Sequence, residues 1–180
     1  MAVFDFDDFG YDHDCRMELE KLKEINPKFK VTLFSVPAKL TIEMLDWADE
    51  NDYWVELVQH GWDHHSNYEC AHWNYEDASL YLHRAAPYFR VQGFKAPGWQ
   101  ISDDTLLALK NYGYWVADQD YNDDRRPEGL KVFKTDPARG DYHGHTWDCG
   151  CNNGINEDWD NISYKVKITD KFEFVSERIA

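Results

Sequence analysis

The chain has 180 residues, with 19 basic against 34 acidic side chains and a net charge of −15. Apolar residues at 43% and aromatics at 16% exclude intrinsic disorder. The length fits one domain spanning 1–180, and the negative field argues against nucleic acid and against an anionic membrane surface. No apolar run approaches the roughly 18 residues of a membrane span, and the acidic opening MAVFDFDDFG is unlike a secretory leader. A soluble, cytoplasmic protein is the expectation.

In chain order, 2–7 alternates apolar and acidic residues and reads as a first strand. Cys15 to Ile25 is an amphipathic helix stopped by Asn26-Pro27. Lys30 to Val36 is a second strand, and Thr41 caps a helix that runs to Glu50. Tyr53 to Gln59 is a third strand leading straight into HGWDHHS, and Glu76 to Ala86 is helical. Val91 to Ala96 is a fourth strand, and Ser102 with two aspartates after it starts a helix ending near Asn111. Tyr114 to Ala117, Leu130 to Lys134 and Asp141 to His145 complete seven strands. The loop from Asp148 to Asn161 is the least structured part, and the alternation from Ile162 to Val175 predicts an edge hairpin. Strand–helix repeats of this kind make a parallel α/β sheet or barrel.

The four cysteines form no CxxC pair, and C-x-C at 149–151 is a weak metal signal. They read as reduced thiols with no shared role. The acids are skewed, 22 Asp to 12 Glu, towards the type that favours loops and metal sites. The unusual residues fall at strand C-termini: Asp7 and Asp8 after the first, His60 after the third, Lys95 after the fourth, Asp118 after the fifth, and His143 and His145 after a late one. That edge is where α/β folds build sites.

His60 and His64 are spaced to share one ion, with Asp8 as a carboxylate ligand and an open position left over. Asp7 and Asp8 point to opposite sides of an extended backbone. One then ligates metal while the other faces substrate as a base, and Asp5 shares the face of Asp7. His143 and His145 also share a face, so spacing does not choose between them.

These segments, Asp5 to Gly10, His60 to His64, Lys95 to Trp99, Trp115 to Asp120 and Tyr142 to His145, resemble in their order the signature of the NodB-type polysaccharide deacetylases, a carbohydrate esterase family. The resemblance covers residues 1–147 and implies a distorted, TIM-like (β/α) barrel. It implies one divalent metal on Asp8, His60 and His64: zinc first, with cobalt, nickel or manganese as alternatives. It makes Asp7 the base, Lys95 the cation that holds it, His145 (or, second, His143) the acid, and Asp118 or Asp120 the residue orienting that histidine. A backbone N–H near Trp99 would help stabilise the tetrahedral intermediate. The implied reaction removes acetyl from an N-acetylated saccharide, with Trp62, Trp99 and Trp147 as stacking surfaces.

The sequence departs from the family pattern at Phe9, at Gly61 and at Lys95, where the family carries Arg. These departures leave two alternatives: an inactive saccharide-binding member of the same fold, and another metal-dependent amidase or phosphoesterase. The short chain favours a short or exposed substrate over an enclosed polymer.

Overall fold

A computed structural model describes residues 1–117 and 126–180. Asp118 and Asp120 lie outside the described residues. Seven strands form one sheet: β1 (Phe4–Phe9), β2 (Val31–Ser35), β3 (Val55–His60), β4 (Gly93–Lys95), β5 (Trp115–Ala117), β6 (Val132–Phe133) and β7 (Tyr142–His145). All neighbouring strands are parallel, in the order β6-β5-β4-β3-β2-β1-β7. Among the described residues the edge strands β6 and β7 do not pair. The sheet is therefore a curled half-barrel, more open than a TIM-like barrel.

Four helices lie between the strands as the sequence pattern predicts: α1 (Arg16–Ile25), α2 (Ile42–Glu50), α3 (Tyr75–Ala85) and α4 (Asp103–Asn111). Side-chain oxygens satisfy open N–H groups at three of their starts. Thr41 accepts from Met44, Asn74 from Asp77 and Ser102 from Thr105. The outer face of the sheet carries Phe4, Phe6 and Leu33, packed with Leu19, Leu22 and Met44 from α1 and α2. Phe94 and Val116 pack in a second cluster with Leu82 and Leu106 from α3 and α4.

Period-two alternation sends the other residues of each strand inwards. Val3, Phe34, Val58, Trp115 and Phe133 fill the middle of the half-barrel as a third cluster. Above it, at the C-terminal strand ends, the interior becomes polar.

The C-terminal region corrects the expected edge hairpin. It holds two helices, α5 (Trp159–Ile168) and α6 (Val175–Ile179). Ile162, Tyr164, Val166 and Ile168 alternate along the chain, which imitates a strand. Spacing of four also suits a helix face, and Ile162 and Val166 are buried while Tyr164 and Ile168 are 61% and 58% exposed. Helix α6 closes the floor of the interior. Thr32 Oγ1 accepts from Val175 N at 3.1 Å, and Ser176 donates to the buried Glu56 carboxylate.

Arg178 ties this floor to the start of the chain. It forks onto Asp141 through two 3.2 Å contacts and donates to the Met1 carbonyl at 2.8 Å. Asp141 is buried and also accepts from Val3 N at 2.8 Å and Asp136 N at 3.0 Å. Asp141→Ala removes two contacts of the Arg178 guanidinium and leaves two backbone N–H donors without their acceptor, so it is expected to lower unfolding free energy by about 3 kcal/mol, read from urea denaturation.

Candidate active site

The first strand does not stay extended through Asp7 and Asp8. Phe6 pairs with Leu33 but Phe9 pairs with Ser35, so β1 carries one extra residue there. Asp8 absorbs it in a left-handed conformation, φ 73°, which aspartate tolerates better than most side chains. The bulge corrects the expectation that the two carboxylates diverge. Asp8 Oδ1 lies 3.3 Å from His60 Nε2, and Asp7 Oδ2 lies 4.0 Å from the same atom.

His64 completes the group, with Nε2 3.1 Å from Asp8 Oδ1. His60 reaches it from the end of β3, its Nδ1 bonded to the Lys95 carbonyl at 3.0 Å. That bond places the imidazole proton on Nδ1 and leaves Nε2 with a free lone pair. Burial opposes the charge on Asp8, but the two imidazoles outweigh it and hold the carboxyl well below its usual range. The same contact raises His64 against the effect of its own burial.

Asp8 Oδ1 is buried and has no hydrogen bond of good geometry. Three ligand atoms therefore converge without satisfying one another. Their separations of a little over 3 Å match the edge between nitrogen and oxygen ligands about 2.0–2.2 Å from a zinc-like ion. The donor set fits a divalent cation. Asp8 Oδ2 is meanwhile fixed by Trp147 Nε1 at 2.8 Å.

The loop carrying His64 is held from below by Glu69, which is 2% exposed. Its Oε1 accepts from Trp62 N at 2.8 Å and from His64 N at 3.3 Å. Gly61 makes room for it: with φ 58°, a Cβ there would lie 1.9 Å from Glu69 Oε1. Sequence spacing carried no signal for Glu69 in this role.

Beside the ligand group sits a buried ionic cluster. Lys95 is fully buried, with Nζ 3.0 Å from Asp7 Oδ1 and 3.3 Å from Asp5 Oδ1. His143 Nδ1 lies 2.7 Å from Asp5 Oδ1, and its Nε2 lies 3.9 Å from Asp7 Oδ2. Burial and Lys95 push the His143 imidazole down, but Asp5 and Asp7 outweigh them and raise it. Burial would raise Asp5, yet Lys95 and His143 hold it low. Asp5 thus holds a late-strand histidine, a role that the sequence reading gives to Asp118 or Asp120, both outside the described residues.

His145, directly across from Asp7 in the β1–β7 register, has a different partner. Its Nδ1 is 3.0 Å from Asn153 Oδ1. Asn153 was missed because the 147–153 loop doubles back only in three dimensions. It does so tightly: a Cβ on Gly144 would lie 2.7 Å from the Asn153 carbonyl.

A cleft of about 460 Å³ opens over both groups. Its wall includes Asp7, Asp8, His60, His64, His143, His145, Trp99 and Trp147. Trp62 is not brought to this wall; it stacks on Tyr81 at 5.4 Å. His65 is exposed and paired with Asp63, and His72 is exposed. Cys149 and Cys151 also line the cleft, and they are joined as a disulfide. That corrects the expectation of four unrelated thiols, which holds for the buried Cys15 and Cys70.

No protein-family model and no curated protein sequence matches the chain. Solved structures do. A family 4 acetyl xylan esterase from Clostridium thermocellum, in complex with a cobalt ion, superposes with a TM-score of 0.64 at 13% identity, over 98% of this chain and 88% of that one. A peptidoglycan N-acetylglucosamine deacetylase gives 0.63 at 14% identity, over 98% and 86%. A family 4 pseudoenzyme from Bacillus anthracis gives 0.62 at 13%, over 100% and 65%.

The chain has the fold of the family 4 carbohydrate esterases. In this family 4 fold the cleft lies at the C-terminal edge of the strands, where open α/β sheets bind ligands. The fold is one that houses both a deacetylase and a pseudoenzyme, so side chains and not the fold determine the chemistry.

Gly61→Ala is expected to displace Glu69, loosen His64 and weaken cobalt(II) binding by about 10–100-fold. Calorimetric titration checks it, with Glu69→Ala expected to act in the same direction.

Proposed function

We infer that the protein is a metal-dependent hydrolase that removes acetyl from an N-acetylated saccharide. The observation that carries this reading is the juxtaposition of two carboxylates with different surroundings. Asp8 faces two imidazole lone pairs, while Asp7, one residue away, faces a buried lysine and His143. One arrangement suits a metal ligand and the other a base.

Asp8, His60 and His64 would hold the ion. Polarisation of the amide carbonyl and acidification of water are the chemistry such an ion supplies. Asp7, oriented by Lys95, takes a proton from the water that attacks the acetyl carbon. The carbon–nitrogen bond then breaks, and His143 gives a proton from Nε2 to the departing amine. Asp5 holds His143 by Nδ1, which fixes the ring and favours its protonated form. This assigns the acid to His143 in preference to His145, whose Nδ1 faces a neutral amide oxygen where His143 has a carboxylate. Trp99 and Trp147 on the cleft wall offer flat apolar faces to a sugar ring.

Asp7→Asn and His143→Gln are each expected to lower kcat for acetate release by about 10²–10⁴-fold. Asp8→Ala is expected to abolish stoichiometric metal uptake. Acetate release from chitooligosaccharides, measured with chelator and after metal is restored, tests the whole reading. Protein that hydrolyses equally well without metal would overturn it.

Because His143 acts in its protonated form and that form is favoured, activity should persist above the ordinary imidazole range as pH rises. Asp5→Asn removes a negative charge that favours imidazolium. The alkaline limb of kcat/KM should then move down by about one pH unit.

A second reading rests on Lys95. A single ammonium is shared between two carboxylates where a guanidinium would fork, so Asp7 is held less firmly. In that reading the cleft binds saccharide without cleaving it. Sugar binding then survives Asp7→Asn, and no acetate is released by the parent protein.

A further inference from the structure

We propose that Cys149, Cys151 and His145 form a second metal site, closed while the two cysteines are a disulfide and open to a thiophilic divalent ion once they are reduced. None of the three belongs to the Asp8–His60–His64 group. They come together independently, with one ligand atom from each within 4.8 Å of the others.

Distances support chelation. His145 Nδ1 lies 3.7 Å from Cys149 Sγ and 3.8 Å from Cys151 Sγ. With zinc–sulfur near 2.3 Å and zinc–nitrogen near 2.0–2.1 Å, a tetrahedral site has a nitrogen–sulfur edge of about 3.6 Å. Asn153 Oδ1, 2.9 Å from Cys151 Sγ and 3.0 Å from His145 Nδ1, stands at a fourth corner.

The loop is organised before any ion arrives. Thr146 N donates to the Asp7 carbonyl, and His145 N donates to the Asn153 carbonyl, each at 3.0 Å. Glu157 accepts from Gly150 N at 2.7 Å, and Asp148 accepts from Asn156 N and Glu157 N at 3.2 Å. The two sulfurs are therefore presented at the cleft rim, with Cys151 exposed and within reach of a reductant.

The balance is simple. A phosphine and one water reduce the sulfur–sulfur bond, giving two thiols and a phosphine oxide. The dithiol and the neutral imidazole then bind the divalent ion and release two protons. His145 Nδ1, which donates to Asn153 Oδ1 in the oxidised protein, gives up its proton to bind the ion, and the neutral ring then carries its one proton on Nε2. Redox state thereby sets the tautomer of a cleft histidine.

The test is a cobalt(II) titration of full-length protein under argon, with and without prior phosphine treatment. The reduced protein should take up one more cobalt per chain than the untreated one and gain a sulfur-to-cobalt charge-transfer band. Cys151→Ser should lose both. His145→Ala should keep the band but bind the extra ion at least about tenfold more weakly. Equal uptake before and after reduction, an extra ion without the band, or unchanged affinity in His145→Ala would each overturn the proposal. The comparison of treated with untreated wild type needs no variant to fold. Because the band reports sulfur ligation, it is independent of acetate release.

Discussion

The interior of the half-barrel is organised around one buried cation. Lys95 on β4 and its partners Asp5 and Asp7 on β1 are three strands apart in the sheet. On a flat sheet that is roughly 14 Å, three steps of about 4.8 Å. Curling brings the ammonium to 3.0 Å from Asp7 and 3.3 Å from Asp5. A lysine with no exposed surface is tolerated only when it is paired, and here the ammonium also lies over aromatic rings, with Nζ 4.6 Å from the Phe34 ring centre and 5.9 Å from that of Trp99. The same cation determines what the neighbouring groups can be. It makes two adjacent carboxylates affordable, and the second carboxylate in turn offsets the charge that a protonated His143 brings to the interior.

Backbone strain collects at the same rim. Among the described residues, four non-glycine positions have positive φ: Asp8, His64, Trp99 and Asn152. Each belongs to a segment bordering the cleft, and three of them line it. Conformations of this kind cost on the order of 1–3 kcal/mol each and persist where surrounding contacts over-determine them. Those contacts are visible for the first two. The β1–β2 register requires the extra residue at Asp8, and Glu69 holds the His64 turn through its N–H.

Much of the site was legible because ligand spacing and strand-end position survive in one dimension. Asp8, His60 and His64 meet as their order predicts, and Lys95 reaches Asp7. What alternation could not reveal was its own interruption: the bulge that swings Asp8 beside Asp7 has no sequence marker apart from the doubled aspartate. Strand parity places His143 and His145 on one face and stops there. Their difference lies in partners 138 and 8 residues away, Asp5 and Asn153. The tail was misread for a related reason, since a residue pattern of period two also contains the spacing of four that a helix uses. Trp62 was grouped with the site by sequence proximity to His60 and His64, but its ring turns towards α3.

The place of β1 in the sheet has a consequence for how its charges are balanced. Strand β1 is not at an edge; it lies between β2 and β7. Asp5 and Asp7 depend on Lys95 from one side and His143 from the other for their counter-charges. An acidic strand without its counter-charges favours water over burial. The ionic cluster therefore ties the two flanks of the sheet together: Asp5 and Asp7 on β1 have their charges offset only when β4 brings Lys95 and β7 brings His143.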